Sequence, residues 1–193
     1  MPPFIQVPTP VRLDKMTRVM KLRGVDVYVH WTVFVIGALM IYAAIRQPWV
    51  TLAAGMSWLA LMLLHESGHM VAAHRKHCQV ESIELYPIFG LCRFQTPWSR
   101  IDHCVIAWSG VIAQMIVAIP VMAALAVLGR SKLEPINAIL VILGPYSLTM
   151  AVFNLLPIGR LDGAVAWQII PEAINRLRSG KRREKNPNSW RSY

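Results

Sequence analysis

The chain has 193 residues, 55 % of them hydrophobic, with a mean hydropathy of +0.43 and a net charge of +10. Its apolar residues fall in runs too long for an ordinary soluble domain of this size. The cations sit at the ends and in short connectors without a nucleic-acid-binding motif, which argues against DNA or RNA as partner. The odd set Cys78, Cys92 and Cys104, without CxxC spacing, argues against a disulfide framework.

Residues 1–26 read as a basic tail, with Pro2, Pro3, Pro8 and Pro10 followed by cations up to Arg23, and without the apolar stretch of a signal peptide. A first span is expected over Tyr28–Ile45; counted from Val27 it has about 19 residues, enough to cross ~30 Å of hydrocarbon. Arg46-Gln47-Pro48 breaks it. A second span runs from Trp49 to Ala73 and ends at His74-Arg75-Lys76-His77.

The last third of that span holds His65-Glu66-Ser67-Gly68-His69, an H-E-x-x-H pattern. Positions four apart share a helix face, separated by ~6 Å of rise, so the two histidines can grip one ion. Zinc suits the pair: two imidazoles and one further protein ligand leave a position for water. Glu66 is placed to take a proton from that water. The competing view is a polar helix face whose histidines bond to neighbouring helices. The cost of such groups in hydrocarbon favours a functional role.

Between Val80 and Pro97 the pattern changes to alternation. Glu81–Tyr86 and Leu91–Gln95, with Pro87 and Gly90 between them, read as a β-hairpin. Too short to cross and with an edge that cannot face lipid, it would lie at the interface or dip into a protein-lined cavity. That edge could take up an extended peptide.

A third span covers His103–Leu128 and carries Gly110 and Gln114. A fourth covers Ile136–Leu156, interrupted by Gly144-Pro145 and followed by the polar, helix-breaking stretch Asn154–Gly163. Residues 164–178 read as an interfacial helix, and a basic, disordered tail is expected from Ser179. The expected fold is an all-α polytopic membrane protein. It has about four transmembrane helices and a small membrane-associated β-hairpin between the second and third. The organisation is a tail (1–26), a membrane core (27–163) and an interfacial helix with basic tail (164–193).

Of the 20 Lys and Arg residues, only Arg46, Arg130 and Lys132 fall on one side of this topology. The asymmetry puts both termini in the cytoplasm. His65 then lies ~24 Å from the outer end of its span, near the cytoplasmic side, where the fourth span also delivers Asp162. Asp162 is the best third ligand on depth. Asp102 and Glu84 could also reach the site, and Asp162 could simply cap a turn beside Gly163.

These residues resemble the site-2 protease family of intramembrane zinc metalloproteases, over roughly residues 25–165. The likeness rests on His65–His69 within a membrane helix and on Asn154-Leu155-Leu156-Pro157 with Leu161-Asp162-Gly163, similar to that family's Asn-x-x-Pro…Asp-Gly element. Tyr86-Pro87-Ile88-Phe89-Gly90 is similar to its membrane-associated β element. The resemblance implies one zinc per chain held by His65, His69 and Asp162, Glu66 as catalytic base, and Asn154 near substrate or oxyanion. Gly110-Val111-Ile112-Ala113-Gln114 departs from the family's Gly-Pro-x-x-Asn; the Gln114 amide could still serve an oxyanion or substrate backbone.

The function expected is peptide-bond hydrolysis in or near transmembrane segments of single-span substrates, within regulated intramembrane proteolysis. The lipid bilayer is an expected partner and a regulatory membrane partner a further candidate; compactness suggests a bacterial plasma membrane. The alternatives are a non-catalytic helix-binding pseudoprotease, which the complete set of base and ligands disfavours, and a metal transporter, which ionisable groups at a single depth disfavour. His74 and His77 read as headgroup contacts, and His30 and His103 as interfacial. Trp31, Trp49, Trp98 and Trp108 read as an aromatic belt.

Overall fold

Val25-Asp26-Val27-Tyr28-Val29-His30 alternates apolar and polar residues, and its three valines are buried while the residues between them are not. In the computed structural model this stretch is a strand, β2 (Val25–His30), not the start of a helix. The structure describes residues 15–45, 47–87, 89–97, 99–159 and 161–185. Pro2, Pro3, Pro8, Pro10, Arg46, Ile88, Trp98, Arg160 and the last eight residues of the expected tail lie outside the described residues.

The preceding strand β1 (Met16–Leu22) pairs antiparallel with β2, with Leu22 opposite Val25 across Arg23-Gly24. Both turn residues have positive φ, 48° and 92°. That conformation matches the twist of a tight hairpin and is tolerated best by glycine. Part of the expected tail is therefore sheet. The expected hairpin forms as β3 (Val80–Leu85) and β4 (Gly90–Phe94). It does not stand alone: β2 joins β3 in parallel, with Val27 opposite Ile83, giving a sheet in the order β1-β2-β3-β4.

Against four expected spans, three helices among the described residues are long and apolar enough to cross a membrane. These are α2 (Pro48–Arg75), α3 (Arg100–Leu128) and a broken helix over Glu134–Asn154. The first expected span gives up its start to β2, and its remaining helix α1 (Trp31–Ala43) has 13 residues. At 1.5 Å per residue it reaches ~20 Å, short of ~30 Å of hydrocarbon. The broken helix consists of α4 (Glu134–Val141), a π-helical turn over Ile142–Tyr146, and α5 (Ser147–Asn154). The π turn falls on Gly144-Pro145, where proline cannot donate to the regular ladder. Beyond it come α6 (Gly163–Ala166) and α7 (Ile169–Lys185). The latter continues as helix past Ser179, where a disordered tail was expected.

One core ties sheet to bundle. Val25, Val27, Val29, Ile83, Leu85 and Cys92 from the sheet pack on Met62 and Met70 of α2, and so fix β4 beside the motif helix. On the other face of the sheet, Glu84 is fully buried; it accepts from Arg93, Tyr86 and Ser82. Helices α2 and α3 approach closely at Gly68, where a Cβ would meet that of Ala113 at 2.9 Å.

Candidate metal centre

Helix α2 stacks His65 above His69, with ring centroids 4.7 Å apart and nearly perpendicular. Their Nε2 atoms are 3.0 Å apart and both are buried. Helix α3 has room for the two rings because Gly110 faces them; a Cβ there would lie 2.5 Å from His69 Nε2. The other ring nitrogens are engaged. His69 Nδ1 donates to the Ile106 carbonyl at 2.7 Å, and His65 Nδ1 donates to Gln114 Oε1 at 3.1 Å. Both bonds fix the tautomer that turns the Nε2 lone pairs toward the same point.

Asp162 arrives there from the far end of the chain. After α5 the backbone turns through Gly159 (φ +59°), and Gly163 lies against the Leu155 and Leu156 carbonyls where any Cβ would collide. Trp167 Nε1 donates to the Leu155 carbonyl at 2.7 Å, and Trp108 Nε1 donates to the Ala166 carbonyl at 3.1 Å. The turn is thereby clamped to α3. Asp162 Oδ2 sits 2.9 Å from His65 Nε2 and 3.3 Å from His69 Nε2.

The ligand atoms of His65, His69 and Asp162 all lie within 4.8 Å of one another, a group that could hold a metal ion. Donors ~2.0 Å from a tetrahedral ion are separated by about 3.3 Å. The three distances of 3.0, 2.9 and 3.3 Å fit that spacing. Two neutral imidazoles and a carboxylate are a zinc-type donor set with one position left over. The two rival carboxylates are committed elsewhere: Asp102 pairs with Lys76 at 2.6 Å, and Glu84 is bound by Arg93.

Glu66 is buried beside the three, and Gly90 of β4 leaves its carboxyl space that a Cβ would fill. A cavity of about 610 Å³ joins them; Asn154 and Gln114 line it too. Gln114 binds His65, whereas the sequence suggested a partner for substrate. Cys92 lines the same wall, and burial, with the Glu66 charge, pushes its thiol far up, so it stays neutral. His103, expected near the interface, also lines the cavity, with Ala107 and Gln114. Gly110, which faces the histidine rings, completes a stripe with these three at i, i+4, i+7 and i+11 of α3, a spacing already visible in the sequence.

No protein-family model matches the chain. A protein of Synechocystis named "Putative zinc metalloprotease" is 30 % identical over 180 residues. That match takes in 81 % of this chain and 46 % of the relative, so the chain spans under half of that protein's length. In three dimensions the chain is similar to the site-2 protease from Methanocaldococcus jannaschii, with a TM-score of 0.63 at 21 % identity, over 82 % of this chain and 72 % of that one. The sequence is thus similar to a protein named a putative zinc metalloprotease, and the fold is similar to that of a site-2 protease.

Proposed function

We propose that the chain is an intramembrane zinc metalloprotease that hydrolyses peptide bonds in or beside a transmembrane segment of single-span membrane proteins. The observation that carries this reading is the convergence of His65, His69 and Asp162, from segments 97 residues apart, on one point beside Glu66. His65, His69 and Asp162 would hold the ion, one per chain. When bound, zinc supplies a Lewis acid for the scissile carbonyl and lowers the pKa of attacking water.

The protein's residues do the rest. Glu66 accepts a proton from the attacking water and returns it to the leaving amine nitrogen. Gln114 and the Ile106 carbonyl hold the two imidazoles in register. Asn154, at the C-terminal end of α5, lines the cavity wall, and we assign it a hydrogen bond to the substrate backbone. The sheet order leaves β4 as edge strand at the cavity. An extended substrate can pair there, offsetting the bonds it loses on unwinding. The Lys and Arg residues between α2 and α3 and beyond α5 support a cut near the cytoplasmic boundary, and we place this reaction in a bacterial plasma membrane, within a regulated cascade.

The test is cleavage of single-span substrates by purified protein, with bound zinc measured. Wild type should cut, Glu66→Gln should keep zinc and lose at least ~10²-fold in rate, and Asp162→Ala should lose zinc. Carefully purified wild type that binds no zinc would sink the proposal. Zinc that crosses a vesicle membrane equally in wild type and Glu66→Gln would favour a transporter.

A further inference from the structure

Helix α7 touches the start of α3. Arg176 Nη2 donates to Ser99 Oγ at 3.4 Å, just before the start of α3, and Glu172, one turn earlier, is half-buried. On another side Ile170, Ile174 and Leu177 follow at i, i+4 and i+7, a single stripe, and they are 53, 44 and 69 % exposed. Ala173, between them, is exposed as well. After Leu177 the helix backbone continues through Arg178, Lys181, Arg182, Arg183 and Lys185. With Arg176 these make six cations against Glu172 and Glu184.

The stripe lies where the spans end, since α7 follows the fourth-span turn and touches the residue that precedes α3. An apolar stripe at that level, on a helix crowded with cations, fits the boundary of acyl chains and phosphate-bearing headgroups. A second copy fits worse. Three side chains cannot supply the ~800 Å² per partner of a stable protein interface, and two such helices would bring like charges together.

We infer that α7 lies in the plane of an anionic lipid surface, with Ile170, Ile174 and Leu177 among the acyl chains and its cations among the headgroups. This assignment requires that the chain spans a membrane and does not depend on catalysis.

Nitroxide labels on Ile174→Cys and Leu177→Cys in the full chain test it. The native cysteines are buried. The chain is reconstituted in phosphatidylcholine vesicles with and without phosphatidylglycerol. With the anionic lipid, both labels should be several-fold more accessible to oxygen than to a water-soluble nickel chelate. That ratio should fall at least about twofold without it, or when Lys181→Glu and Arg182→Glu are combined. Water-like accessibility in both vesicles, or equal burial in both, overturns the inference. Dipolar broadening between labels on different chains does so too, in favour of a second copy.

Discussion

Gly110 and Gln114 decide where the histidine rings point. Gly110→Ala would place a methyl 2.5 Å from His69 Nε2 and 2.7 Å from His65 Cε1. We expect zinc occupancy to fall sharply while the helical content is kept, as metal analysis beside circular dichroism would show. Gln114→Leu keeps the volume and removes the acceptor for His65 Nδ1–H. Loss of such an orienting bond costs 10–100-fold in metal affinity as an order of magnitude, measurable by competition with a chromogenic chelator. Gln114→Glu, which restores an acceptor, should recover most of it. A Gln114→Leu protein with unchanged affinity would return Gln114 to a substrate-binding role.

Among the elements, the approach of α2 to α3 and the buried Glu84 network carry separate predictions. At Gly68 a Cβ would run into the Ser109 carbonyl as well as Ala113. Gly68→Ala should force the helices apart at a cost of about 1–3 kcal/mol, read as a lower thermal midpoint. Glu84→Ala leaves the partly buried Arg93 without its carboxylate and should destabilise the sheet by about 1–3 kcal/mol, with zinc content unchanged because the network lies on the sheet face away from α2. Much of this architecture was legible. The hairpin, α3 and the break at Gly144-Pro145 announced themselves by alternation, length and proline chemistry. The first span misled because Val25–His30 runs without interruption into the apolar Trp31–Ala43, so one run concealed a buried strand and a short helix. Its period of two was nevertheless present in the three valines. The parallel pairing of β2 with β3 carried no local signal, because two helices separate the strands and only tertiary packing sets their register.

For the whole molecule, zinc should act as a staple. Its donors come from α2 and from the turn after α5, so an ion held there ties two segments distant in the chain. Binding to the folded chain alone stabilises it by about 2.7 kcal/mol at a hundredfold excess over Kd. For a chain of this size that is roughly 5–10 °C in Tm. Chelation should lower the midpoint by that amount in wild type and Glu66→Gln, and leave Asp162→Ala nearly unmoved. Sequence reasoning could place Asp162 at the right depth but not at the right point, because its approach depends on the tight packing of Gly163 and on the Trp108 and Trp167 clamps.

The separation of Asp162 from the histidines also sets a clock on biosynthesis. His65, Glu66 and His69 enter the membrane first, and 97 residues separate His65 from Asp162. At a synthesis rate of about 5–20 residues per second, the pair waits roughly 5–20 s for its third donor. Throughout that interval the nascent chain holds Glu66 and two imidazoles but no complete centre. The metal centre is complete only when the turn that carries Asp162 has been made and folded back.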